Sequence, residues 1–139
     1  MQLDQALVDV AIDLLEQRFP AMKGAAAAMY VDDGTILTSV VFQPRLSSAG
    51  LCAETGAMCE AHKLNKRITA SVCVARRSGT DPILVMTPCG MCQERLFAWG
   101  AWVEVATPDA ADARRWVAKT LEQVQPHYWG NVYQDRAIE

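Results

Sequence analysis

Nowhere in the 139-residue chain do apolar residues run on for the roughly 18 positions that a membrane-spanning helix needs. Positive charge is also in the minority, with 13 Lys and Arg against 16 Asp and Glu and a net charge of −3. No basic field is available to hold a phosphate backbone, so no nucleic-acid partner is expected. The opening residues Met1-Gln2-Leu3-Asp4 lack the basic start of a signal peptide, which together with the missing span makes the cytoplasm the expected location, with no membrane partner. There is no internal repeat, no linker-like stretch and no low-complexity tract beyond Ala25 to Ala28, so the chain is expected to fold as a single domain over 1–139.

Half of the residues, 51%, are hydrophobic, enough at this length to bury about two-thirds of the surface the unfolded chain exposes. Leu3, Leu7, Val10, Leu14 and Leu15 recur at helical spacing before Pro20. Ala25 to Val31 and Ile36 to Phe42 read as strands joined by the turn Asp32-Asp33-Gly34. Arg45 to Leu51 reads as a loop, Ala53 to Asn65 as a helix, Ile68 to Ala75 and Ile83 to Met86 as strands. A further helix runs to Gly100, followed by a strand over Trp102 to Ala106. Thr107-Pro108-Asp109 supplies cap, proline and acidic first turn for a last helix through about Gln123. The expected fold is α/β, a three-layer α/β/α sandwich around a five-stranded mixed sheet.

Five cysteines, an odd number, read as ligands, reactive groups or small core residues in a compartment where thiols stay reduced. Two stand in Pro88-Cys89-Gly90-Met91-Cys92, where a strand ends and a helix begins. A strand, Cys-x-x-Cys and a helix is also the arrangement of a dithiol redox site, but Pro88 precedes the pair and the chain starts with a helix. A third, Cys52, opens the previous helix and is followed by Ala53 and Glu54. Helix N-termini favour the thiolate, the form that binds metal. Three thiolates fill three positions of a tetrahedral Zn²⁺ and leave the fourth for water, the mark of a catalytic zinc. Glu54 is the carboxylate placed to shuttle a proton. Cys59 and Cys73 read as small buried thiols, and His62 and His127 as surface residues.

Cys52-Ala53-Glu54 with Pro88-Cys89-Gly90-Met91-Cys92 resembles the zinc-dependent cytidine deaminase family in its short three-cysteine form, which includes blasticidin S deaminase. The stretch "AAAMYVDDG" and the order of elements resemble the same family over most of the chain. The resemblance implies one Zn²⁺ per subunit on Cys52, Cys89 and Cys92, with Glu54 as the catalytic proton carrier. It also implies hydrolytic deamination of a cytosine-type amino group on a small nucleoside-like molecule, with release of ammonia. Main-chain contacts of Ala53 and Thr87 to the base, and assembly as a homotetramer or a dimer, are implied too. The chain departs from the family at Val41-Phe42-Gln43, where Asn-x-Glu usually holds the sugar. Gln43 retains a hydrogen-bonding group there, and Phe42 is a candidate for lining the pocket. Thr55 and Gln93 stand where the family often has arginines, which leaves the helix N-termini, or Arg95 or Arg45, to offset the charge of three thiolates. Pro126-His127-Tyr128-Trp129 resembles the family's aromatic tail. A thiol redox protein using Cys89 and Cys92, and a non-catalytic zinc domain, are the alternative readings.

Overall fold

The structure, a computed structural model, describes residues 2–133, so Met1 and residues 134–139 of the expected domain lie outside the described residues. Helix α1 (Gln5–Arg18) begins at Asp4, whose carboxylate accepts the Leu7 N–H at 3.0 Å and the Tyr30 hydroxyl at 2.9 Å. One side chain thus caps the helix and ties it to the sheet beneath. The helix ends at Phe19, just before Pro20.

Strand β1 (Gly24–Val31) pairs antiparallel with β2 (Ile36–Val40) on one side and β3 (Ile68–Arg76) on the other. The turn between β1 and β2 uses Gly34 at φ 84°, a conformation open to glycine at little cost. The alanine run is explained by its two faces. Ala26 and Ala28 lie under Leu7, Ala11 and Leu15 of α1, and small side chains let the helix come down close to the sheet.

The far edge of β3 is shared. Its first half pairs in parallel with β5 (Glu104–Pro108), Ala70 opposite Glu104, and its second half pairs antiparallel with β4 (Leu84–Val85), Val74 opposite Val85. Helices α2 (Thr55–Lys63) and α3 (Gly90–Leu96) cover the face opposite α1, and Met58, Ala61, Cys92 and Leu96 bury against Met29, Ile68 and Val105. The three expected layers are present, and the sheet is mixed.

It has six strands rather than five, because the last expected helix is mostly not a helix. Thr107-Pro108 completes β5, and Trp116–Thr120 forms an antiparallel edge strand, β6, before a short helix α4 (Leu121–Val124). The acidic residues that resembled a helix start instead fold the chain back locally. Asp109 accepts the Ala111 N–H at 2.8 Å and Asp112 accepts the Arg114 N–H at 3.0 Å. Pro108 is tolerated because β3 pairs only with Glu104 and Val105, so the strand end has β6 alone as neighbour. Cys59 is a second correction, since it lies exposed on α2 rather than buried. No helix among the described residues is long and apolar enough to cross a membrane.

Replacing Asp4 by Ala should lower stability by about 1–3 kcal/mol, since it removes the helix cap and leaves the buried Tyr30 hydroxyl without its acceptor. Urea unfolding of D4A, Tyr30→Phe and the double variant measures it, and a double variant no worse than D4A is the expected result.

Candidate metal centre

The site forms where two helix starts meet over the split edge of β3. Cys52 precedes α2, whose cap position is Glu54, and Cys89 caps α3, with Cys92 in its first turn. The Sγ atoms of Cys52, Cys89 and Cys92 all lie within 4.8 Å of one another, and Cys52 and Cys89 are 3.4 Å apart with no disulfide between them. Zn–S bonds of about 2.3 Å in a tetrahedron hold sulfurs about 3.8 Å apart, so three such thiolates fit around one ion and leave a fourth position free. A dithiol redox pair gives no role to the third sulfur.

Ser39 of β2 docks α2. Its hydroxyl donates to the Ala53 carbonyl and accepts the Ala57 N–H at 2.9 Å, which staples the loop carrying Cys52 and Glu54 to the sheet. Gly56 makes room for this approach, because a Cβ there would stand 2.8 Å from the Ser39 Cβ. Ser39 follows Thr38 in β2, and nothing local in the sequence marks it as the residue that docks the helix.

Gln93 does similar work at the other helix. Its amide donates to the Pro88 carbonyl at 2.7 Å and accepts from Gln125 at 2.7 Å, tying the turn before Cys89 to the end of α4.

Glu54 is 3% exposed. Burial pushes its carboxyl above the ordinary value, against opposing hydrogen bonds from its own backbone and from the Cys73 and Cys92 thiols, and against the charge of Arg95. Cys73 therefore belongs to the site's surroundings, on the β3 face that looks toward α2 and α3. Burial first, and then Glu54, drive its thiol strongly upward, so it stays protonated. Burial and the Glu54 charge raise Cys92 in the same way. Burial also pushes Cys89 upward, but the Cys92 and Met91 N–H groups and the neighbouring thiols outweigh it, and Cys89 sits below its ordinary value. Cys52 is raised by burial and by Cys89.

Residues 1–106 match the family model described as the cytidine and deoxycytidylate deaminase zinc-binding region. The chain belongs to this family. Among solved structures, the cytidine deaminase from Bacillus anthracis is 45% identical, with a TM-score of 0.89, and the match covers 96% of this chain and 94% of that one. The cytidine deaminase from Mycobacterium tuberculosis is 23% identical with a TM-score of 0.70, covering 93% and 99%. That from Burkholderia pseudomallei is 19% identical with a TM-score of 0.69, covering 92% and 100%. The latter two support the fold alone. No curated protein matches the chain.

In this deaminase the positions lacking the usual arginines are accounted for differently. Thr55 accepts a hydrogen bond from Arg95 Nη1 at 3.0 Å, so a guanidinium from α3 stands beside the start of α2, while Arg45 is exposed in its loop. Of the expected substrate contacts, Gln43 lines a cavity of about 580 Å³, beside Val41. Phe42 is 56% exposed and instead bridges to Leu51 through paired backbone hydrogen bonds of 3.1 and 2.9 Å. Ala53 is buried behind Glu54, and Thr87 is exposed just before Pro88. The aromatic tail seats on its own domain. Tyr128 stacks on Phe97 with centroids 3.7 Å apart, and Glu94 accepts from the Tyr128 hydroxyl at 3.0 Å and the Trp129 indole at 2.9 Å.

With the metal stripped, iodoacetamide near neutral pH should modify Cys89 ahead of Cys73 and Cys92, as peptide mass mapping will show. Ser39→Ala should destabilise the fold by about 1–3 kcal/mol by stranding the Ala57 N–H and the Ala53 carbonyl. Its zinc affinity, measured by chelator competition, should fall with it.

Proposed function

We propose that this chain hydrolyses a cytosine-type amino group on a nucleoside or nucleoside-like small molecule and releases ammonia. The observation that carries the proposal is the buried Glu54 carboxyl against a cluster of three thiols that fits one zinc. Cys52, Cys89 and Cys92 hold the ion, one per subunit, and zinc so held supplies activation of water at neutral pH.

The chain's own residues do the rest. Glu54 takes a proton from the attacking water and passes it to the ring nitrogen. It then takes the remaining proton from the added hydroxyl and delivers it to the departing amine, so that water and the amino compound become the carbonyl compound and ammonia. Its raised affinity for protons, a result of burial, suits a group that must accept a proton and give it up again near neutral pH. The main chain at Ala53 and the carbonyl of Thr87 orient the amino-bearing ring. Gln43, in the cavity wall, contacts the sugar or whatever replaces it.

The protein works as a homotetramer in this reading. Support comes from large apolar side chains left on the surface, with Trp102 77% and Leu46 68% exposed. Five free cysteines favour a reducing compartment such as the cytoplasm.

Glu54→Gln should retain zinc, by metal analysis, and lose ammonia release by about 10²–10⁴-fold. Turnover at the parent rate in this variant would refute the mechanism. Cytidine, deoxycytidine, blasticidin S and free cytosine form the substrate panel, and light scattering gives the mass of the assembly.

A further inference from the structure

The N–H groups of Met91 and Cys92 serve the Sγ of Cys89. The carbonyl of the buried Pro88 is served by a side chain instead, the amide of Gln93, which donates to it at 2.7 Å. A carbonyl can only accept, so the nitrogen end of this amide faces Pro88 and its oxygen end faces Gln125, from which it accepts at 2.7 Å. Donating on one side while accepting on the other is open to an amide, and not to a carboxylate, an ammonium or a guanidinium. The chemistry of the position therefore suits the residue found there.

Pro88 stands between the two groups that matter on this side of the site, Cys89 among the sulfurs and the carbonyl of Thr87. The proline ring locks φ, so the peptide planes before and after Pro88 differ by one free rotation, the ψ of that residue. Pinning the Pro88 carbonyl sets that rotation. A single hydrogen bond thus aims the Thr87 carbonyl and the Cys89 backbone together.

The other end of the connection is anchored as well. Gln125 closes α4, its own N–H donating to the Leu121 carbonyl at 2.8 Å. Leu121 is fully buried, its N–H donates to the Val103 carbonyl at 3.0 Å, and the Glu122 N–H donates to the Ala101 carbonyl at 3.2 Å. Thr120 and Gln123 close the start of the same helix with a capping box. Glu94 and Phe97 hold Tyr128 and Trp129, so the end of the chain grips α3 at positions 93, 94 and 97.

We propose that Gln93 is a positioning residue for the deamination. Backed by Gln125, it aims the Thr87 carbonyl at the amino group of the substrate and Cys89 at the metal. This rests on the deaminase reading and extends the working site to α4.

The test uses Gln93→Leu, similar in size and without polar atoms, Gln125→Leu, which leaves α3 untouched, and the double variant. Zinc affinity is measured by chelator competition, and the thiolate-to-metal charge-transfer absorption is recorded on the cobalt-loaded proteins. Steady-state kinetics are run with zinc saturating, and circular dichroism with urea unfolding reports the fold. Gln93→Leu should weaken zinc binding and, with zinc saturating, lower kcat/KM, each by about 10–100-fold, and should move the cobalt band. Gln125→Leu should act in the same direction to a smaller extent, and the double variant should be no worse than Gln93→Leu.

A residue that only stabilised the fold would lower the urea midpoint and leave the cobalt band and the zinc-saturated kcat/KM at parent values. That result overturns the proposal, as does a double variant whose losses multiply. Should Gln93→Leu not fold, Gln125→Leu carries the test, and parent zinc affinity with the parent cobalt band in it overturns the proposal. Ammonia release by the unsubstituted protein is scored separately. If it releases none from any substrate, the deaminase reading falls, while weakened zinc binding and a moved cobalt band in Gln93→Leu still uphold the positioning of Cys89. Turnover by the unsubstituted protein that neither substitution changes does the reverse.

Discussion

Three sulfur atoms drawn from segments 37 residues apart must converge within 4.8 Å, and the surrounding architecture is arranged to let them. A continuous strand along the far edge of β3 would fill the space they need. Instead β5 takes the first half of that edge and β4 the second. The chain leaving β4 runs past Cys73 into Pro88 and Cys89, and the loop before α2 comes in from β2 and meets it. Ser39 and Gln93 then fix the two approaches with hydrogen bonds to carbonyls that loops would otherwise leave loose.

Convergence has an electrostatic cost. Burial raises the proton affinities of Glu54, Cys73 and Cys92, and the charge of Glu54 raises those of the two thiols further. The offsetting groups are few. N–H groups at the start of α3 favour a thiolate at Cys89, and Arg95 lies against Thr55 near Glu54. A divalent cation among the sulfurs supplies the largest missing positive charge, so binding the metal and settling the protonation of the site are one event. Cys73, left protonated beside Glu54, contributes a hydrogen bond and no further negative charge.

The faces of the strands divide the remaining duties. On one side Ala26 and Ala28 admit α1 and the core is sealed, with Trp116 of the edge strand partly buried against it and its indole donating to Gln5 at 2.8 Å. On the other, the small side chains of Ala25 and Ala75 line a cavity. Alanine thus produces close packing or empty space according to which face it occupies.

Local chemistry settled much in advance. Strand periodicity, the Asp32-Asp33-Gly34 turn and the two cysteine motifs were legible because each depends on neighbours in sequence, and Glu54 could be singled out by its spacing from Cys52. The fate of Thr107 to Gln123 was not legible. Its caps and acidic residues suit a helix, and only the unpaired edge of β5, supplied by distant chain, makes a strand the better solution. Likewise Gln93 and Ser39 carried no local sign of their partners, and Cys59 and Cys73 could not be told apart until the fold placed one on the surface and the other beside Glu54. The sequence determined which residues can bind metal and move protons, because that is a property of side chains. Only tertiary structure decided which of them meet, because meeting depends on strand pairing and helix docking between segments far apart in the chain.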